Sequence, residues 1–315
     1  MTSEAQSMPQ SSERGRGHRL GLGLQRNWPS ALLVVPGLVL LGLFYVLPNL
    51  LNLAYAFTDW SSFTERIGFV GLGNFGDLLR TGVLGSVLLV TFKFAFVVTI
   101  LGNVVALLLA LALEKPTRLN IFLRAFLFIP VLLSALAAGY AAAGLLQFDG
   151  VVNQILSLGT RLFGAGPVEV QWLGSTDWTI FVAAAVYCWK TGGILMLIYI
   201  AGLMAVPHDL VEAARIDGAS PLQVVRRVKL PLLGPAFTFN IALTLIGALS
   251  VFDVILALTR GGPARTTSVL NYVVFEQFGG GFYGYSVAIS FVLVLIIIVV
   301  AIPIIWFLRR REVEL

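Results

Sequence analysis

The chain reads as long apolar stretches separated by short polar ones. A helix needs roughly 20 apolar residues to cross the hydrocarbon core of a bilayer. Six stretches reach that length: 31–57, 84–113, 125–146, 179–206, 232–258 and 285–308. Three carry no charged residue, and the other three carry one each, Lys93, Lys190 and Asp253. The pattern predicts an all-α polytopic membrane protein with six transmembrane helices in one domain, residues 29–311. Residues 1–28 hold Arg14, Arg16, Arg19 and Arg26 among Ser, Gly and Gln, a composition that predicts a disordered tail. The first span follows that polar tail, is too long for a signal-peptide core and lacks an A-x-A-like site, so it is read as a retained span.

Lys and Arg positions set the orientation. The N-terminal tail, the 114–124 and 207–231 loops and the C-terminal tail together hold fourteen, and the three alternate loops hold five. Both termini are therefore predicted to be cytoplasmic, with the 147–178 loop outside, in a cell membrane.

Composition sharpens the class. Hydrophobic residues make up 58% and charged residues 12%, with a mean hydropathy of +0.91, whereas soluble domains carry about 25% charge. This excludes a cytosolic enzyme, a disordered protein and a nucleic-acid binder. The pI of about 9.6 follows from charges spread over the loops of one side and calls for membrane lipid, not nucleic acid, as partner. Cys188 is the sole cysteine, and His18 and His208 lie far apart. No disulfide, metal site or cofactor is expected. None of the four lysines follows a glycine, so the G-x-x-x-x-G-K-[ST] phosphate loop is absent. HExxH and GxSxG are absent too, and the chain is read as a non-enzyme.

The segment 207–231 is the most organised connection. Pro207 suits the first turn of a helix. Asp209 and Glu212 favour a helix N-terminus, and Leu210, Ala213, Ala214 and Asp217 keep helical spacing. Gly218 suits a positive φ at the helix end. Ser220-Pro221 restarts a helix as cap and first residue, and Pro231 precedes the fifth span. Leu210, Val211, Ala213, Ala214 and Ile216 make the first helix too apolar for a free surface, which predicts a docking element.

Glu212-Ala213-Ala214, three residues, Gly218, nine residues, then Val228-Lys229-Leu230-Pro231 resembles the EAA loop, E-A-A-x3-G-x9-I-x-L-P, of permeases from binding-protein-dependent ABC importers. Val228 replaces the usual isoleucine. Asp217-Gly218-Ala219-Ser220 is similar to the carbohydrate-uptake branch. Gly71-Leu72-Gly73-Asn74-Phe75, and Gly150 to Asn153 with Trp172-Leu173, resemble the outer-loop signatures of sugar permeases. Phe252-Asp253, Leu258 to Pro263 and Thr266-Thr267 resemble the first-permease type of maltose and glycerol-3-phosphate importers.

The resemblance implies the MetI-like permease fold and three kinds of partner: a second permease, a cytoplasmic ATPase dimer and an extracytoplasmic sugar-binding protein. It also implies that Glu212, Ala213, Ala214, Asp217, Gly218, Leu230 and Pro231 couple the chain to the ATPase. Substrate would then pass near the bilayer midplane along the spans flanking the loop. There, Tyr187, Lys190, Thr191 and Ile194 share helical spacing. Trp189 matches a tryptophan of the maltose type's sugar-contact region, and Thr244 aligns with a sugar-facing position. Asn240 and Gly247 share that face with Thr244. Ala248 stands where the maltose type has an asparagine, which argues against maltose itself. Lys190, whose charge costs about 2.5–3.5 kcal/mol at mid-span on insertion scales, is read either as a contact for a polar or anionic ligand or as the partner of a carboxylate on the second permease. Asp253 is read as a structural hydrogen-bonder or a ligand contact, and Lys93 as structural, with its stem free to snorkel. Competing readings are an importer permease of the same build for a polyol or glycerol phosphate, and a secondary transporter.

Overall fold

The structure, a computed structural model, describes residues 28–312. Residues 1–27 of the predicted disordered tail lie outside the described residues, and its last residue, Trp28, opens a helix. The chain divides into two compact units at Ala54/Tyr55.

In the first unit, α1 (Trp28–Leu41), a π turn (Gly42–Val46) and α2 (Leu47–Tyr55) follow one another without a break. Leu47 N–H reaches back to Gly42 O, five residues away. Pro48 follows. It has no N–H, and its ring would meet the carbonyl four residues back, so the widened turn relieves both problems.

The second unit contains α3 (Gly73–Arg80), α4 (Val83–Leu113), α5 (Arg118–Leu132), α6 (Ala135–Leu145), α7 (Val151–Leu162), α8 (Thr179–Ala205), α9 (His208–Ile216) and α10 (Pro221–Val224). A second π turn (Val225–Lys229) leads to α11 (Leu230–Leu232), α12 (Gly234–Leu249), α13 (Asp253–Leu258), α14 (Leu270–Gly279) and α15 (Tyr283–Arg309). Among the described residues, Leu33–Tyr55, α4, α8 and α15 are each long and apolar enough to cross a membrane. The predicted third and fifth spans are not straight helices. α5 and α6 meet at 101°, and Pro221–Leu232 meets α12 at 68°; with each bent pair as one span, the number is six.

Side-chain hydrogen bonds accompany each break. Leu133 and Ser134 are extended, and the Ser134 side chain accepts from Ala137 N–H, an N-cap planted inside an apolar run. The predicted span 232–258 stops at Leu249. Ser250 turns its hydroxyl back to Ile246 O (2.6 Å), and Asn271 Nδ2 takes the Ser250 carbonyl (2.8 Å). The chain then restarts at Asp253. The two short pieces pack on each other so closely that a Cβ on Gly139 of α6 would lie 2.6 Å from Ala257 Cβ of α13.

Between lipid-embedded helices, close packing of small residues replaces the hydrophobic effect as the cohesive force. Gly102 of α4 abuts Cys188 and Leu195 of α8, and Gly202 of α8 abuts Leu233 and Ala236. Phe94, Ala95, Val98, Ala183, Ala184, Ala248, Leu249 and Ile255 form one buried cluster; Ala106, Ala110, Met196, Tyr199, Leu203 and Leu233 form a second.

Gly193 and Gly192 give a paired test of this packing. A Cβ on Gly193 would meet Leu127 O at 2.6 Å and Phe128 Cα at 2.9 Å, both backbone atoms, while one on Gly192 meets nothing within 4 Å. Gly193→Ala should destabilise the purified protein by about 1–3 kcal/mol. Gly192→Ala should be neutral or stabilise it by up to about 1 kcal/mol through helix propensity. Denaturation midpoints in detergent check both.

Candidate functional site

The 207–231 segment folds as two short helices around a sharp turn. Pro207 is the cap of α9 rather than its first residue, and Asp209 lies in the first turn. His208 Nδ1 is 3.7 Å from Glu212, both side chains exposed. At the end of α9, Gly218 N–H bonds Arg215 O (3.0 Å) and Ala219 N–H bonds Ala214 O (2.9 Å). These two bonds satisfy the last carbonyls in a Schellman arrangement. Gly218 has φ +81°, and a Cβ there would meet nothing within 4 Å. The backbone angle, not lack of space, calls for glycine. Asp217 is the residue on which α9 ends.

Ser220 then opens α10 with a full capping box: its side chain accepts from Gln223 N–H, and its own N–H donates to Gln223 Oε1 (2.7 Å). Pro231 sits just beyond the second π turn, as Pro48 does beyond the first. Of the α9 side chains, Val211 is buried, while Glu212 and Ala213 are exposed and Ala214 is half-buried. Ile216 is 82% and Leu222 76% exposed. The segment thus presents bare apolar side chains next to the Glu-Ala-Ala run.

A second region lies at the helix breaks. Tyr187, Lys190 and Thr191 of α8, Ser250, Asp253 and Asn271 line a cleft of about 360 Å³. The Tyr187 hydroxyl stands where a Cβ on Gly247 would fall, 2.7 Å away, and Phe94 packs edge-on against the Tyr187 ring at 5.7 Å. Among the described residues neither Lys190 nor Asp253 belongs to an ion pair, although both charges face one cleft. A lysine and an aspartate at a shared opening, with hydroxyl, amide and aromatic groups around them, can hold a polar solute.

Other expected pathway residues fall elsewhere. Trp189 faces away from the cleft and lines an apolar groove with Leu101, Val105, Phe126 and Pro130, because consecutive residues on a helix point about 100° apart. Ile194 is not part of the cleft lining. Asn240 and Thr244 are buried in a polar network between helices. Asn240 Nδ2 donates to Leu195 O (3.0 Å), Asn103 Nδ2 donates to Thr244 Oγ1 (3.0 Å), and Tyr199 OH donates to Asn103 Oδ1 (2.7 Å). Asn103 was not among the expected site residues; the signal for it is a lone amide in the second half of the apolar run 84–113. Lys93 lies over the Phe181 ring at 4.6 Å, a cation–π contact that accommodates its charge.

The loop motifs are fastenings. Asn74 Nδ2 bridges Ala56 O and Thr58 O (2.8 and 2.9 Å). Asn153 Nδ2 bridges Phe148 O and Val170 O, while Trp172 Nε1 donates to Asn153 Oδ1 (2.8 Å). Thr259 and Thr267 join hydroxyls across the 258–267 turn at 2.6 Å.

Apolar helices that break around a charged cleft and extend a helical pair from the bundle have the architecture of a membrane transport subunit. Residues 102–312 match the family described as "Binding-protein-dependent transport system inner membrane component". The match covers more than half of the chain, and the protein belongs to that family. It is 31% identical over 286 residues to the probable starch degradation products transport system permease protein AmyD of Thermoanaerobacterium thermosulfurigenes, covering 90% of this chain and 95% of that one. It is 33% identical over 260 residues to the trehalose/maltose transport system permease protein MalF of Thermococcus litoralis, covering 82% and 86%. Among solved structures, a chain of a bacterial ABC transporter involved in the import of the acidic polysaccharide alginate superposes with a TM-score of 0.78 at 20% identity, covering 91% of this chain and 97% of that one.

Lys190→Met keeps the apolar stem and deletes the charge. If a solute is the partner of Lys190, the purified yield should be unchanged. Uptake should change in rate or selectivity by about tenfold, the scale of a charge-assisted hydrogen bond. A poor yield would instead point to a buried acid left unpaired, and unchanged uptake across a panel of sugars would remove Lys190 from the pathway.

Proposed function

We propose that this chain is the first-type permease of an ATP-driven importer that takes up a mono- or oligosaccharide. In this reading it pairs with a second permease, an ATPase dimer supplies the energy from the cytoplasm, and a binding protein delivers the sugar outside. The observation that carries the reading is the 207–231 segment. A Schellman-turned helix pair with the spacing Glu-Ala-Ala, Gly218, Leu230-Pro231 presents uncovered apolar side chains beside a bundle belonging to an importer family. Relatives designated for starch degradation products, multiple sugars and trehalose/maltose at 30–33% identity support the sugar. A second reading, a polyol or glycerol phosphate, is favoured by Lys190 in the cleft and by the sn-glycerol-3-phosphate permease UgpA of Salmonella typhimurium at 30% identity.

The proposed coupling residues are Glu212, Ala213, Ala214, Asp217, Gly218, Leu230 and Pro231. The proposed pathway begins at Tyr187, Lys190 and Thr191. Both termini and the 207–231 segment are proposed to lie in the cytoplasm, supported by the Lys and Arg distribution.

An impermeant thiol reagent applied to sealed cells tests the orientation. Ala165→Cys should be labelled and Arg226→Cys protected; the reverse result would invert the topology.

Uptake and co-purification of the ATPase test the function together. Glu212→Lys reverses the charge on the exposed face of α9. Gly218→Pro locks φ near −65° where +81° is needed. Both should cut ATPase recovery and sugar uptake while the spans stay folded. Full uptake in both variants would take the segment out of the mechanism.

A further inference from the structure

One ion pair joins the foot of the 207–231 segment to a distant helix. Lys229 Nζ lies 2.6 Å from both Oε1 and Oε2 of Glu114, across 115 residues of sequence. The side chains are only 13% and 26% exposed, so solvent and salt screen the pair less than an ordinary surface bridge. Glu114 is held from its other side as well. Arg124 donates Nε to Leu113 O (3.0 Å) and Nη2 to Glu114 O (2.8 Å). These are the orphan carbonyls that end α4. The end of α4, the middle of α5 and the last residue of the second π turn are thereby knotted together.

The covalent route from Lys229 into the bundle runs through the 68° bend before α12. The ion pair bypasses that bend and enters α4, a 31-residue helix without a break, about 46 Å long at 1.5 Å per residue. Along it, Asn103 bonds Thr244 of α12 and Tyr199 of α8, and Phe94 packs on Tyr187, which lines the Lys190 cleft. A displacement entering at Lys229 therefore has a stiff, hydrogen-bonded path to the cleft.

We infer that Glu114 and Lys229 are positioning residues that form a latch, closed throughout the transport cycle, through which α4 moves as one body with the 207–231 segment. The inference rests on the proposal that this segment docks on an ATPase. Lys229 fills the unspecified position of the V-x-L-P run, so its role comes from the contact with Glu114 and not from the motif.

The test uses the complete transporter in proteoliposomes, with the binding protein and sugar present. Glu114→Gln and Lys229→Met should retain the ATPase subunit and hydrolyse ATP at rates close to wild type, while sugar taken up per ATP falls about tenfold. The exchange Glu114→Lys with Lys229→Glu should recover most of that loss. Single variants with wild-type uptake per ATP would overturn the latch. Single variants that shed the ATPase, or lose hydrolysis and uptake in proportion, would also overturn it, because the pair would then serve docking or folding.

A second measurement tests the same contact without relying on the charge changes. In a Cys188→Ala background, Glu114→Cys with Lys229→Cys joined by a short bis-thiol reagent should keep transporting. Arrest on cross-linking would show that the contact has to open. Failure of the wild-type complex to couple uptake to ATP would instead refute the proposed function, which separates the two outcomes.

Discussion

In hydrocarbon there is no water to satisfy a backbone N–H or C=O, so irregular chain is tolerated only where protein supplies partners or a cavity admits water. The arrangement of this bundle follows from that constraint. It breaks the helical ladder at 133–134 and at 250–252, and the pieces beyond the two breaks, α6 and α13, pack against each other through Gly139 and Ala257. Ser134 caps one break with its own side chain, and Asn271 takes the Ser250 carbonyl at the other. The opening left between them is the cleft lined by Lys190 and Asp253. The charges sit where the backbone is already polar, which limits the cost of holding them in an apolar bundle.

Much of this was legible in the sequence, for reasons that differ by element. The long apolar runs announce spans because length and hydropathy are additive along the chain. The turn at Gly218 and the start at Ser220-Pro221 are local: backbone angles and caps depend on a few neighbours, and the residue types specify them. The 101° bend was not legible. Pro130 marks a weak point, but the extended Leu133-Ser134 pair depends on α13 arriving to pack on α6. The break after Leu249 likewise depends on Asn271, 21 residues away.

The residues expected on the pathway show the same division. Spacing i, i+3, i+4 groups Tyr187, Lys190 and Thr191, and the cleft contains all three. Periodicity does not say which neighbour covers a face, so Ile194 shares the spacing but not the cleft. Asn240 and Thr244 are polar groups on the expected helix, yet the Asn240 amide nitrogen and the Thr244 hydroxyl bond partners in α8 and α4. Sequence alone does not say whether a polar residue in a span faces solute or protein.

The division between broken and unbroken helices bears on how such a bundle can move. Bent and interrupted elements, α5 with α6 and α12 with α13, have joints at which orientation changes without loss of regular hydrogen bonds. α4 and α8 are continuous over 31 and 27 residues, and they pack along their length through Gly102 against Cys188 and Leu195. Close-packed interfaces shift between discrete arrangements rather than deforming gradually. A rigid α4–α8 pair flanked by jointed elements therefore divides the labour physically. Under the proposed latch, the pair would carry displacement along its length, and the joints would convert it into a change of shape around Lys190. Because the joints border the cleft and the continuous helix ends beside Lys229, a movement entering there through the proposed latch would meet no bend on its way to the cleft.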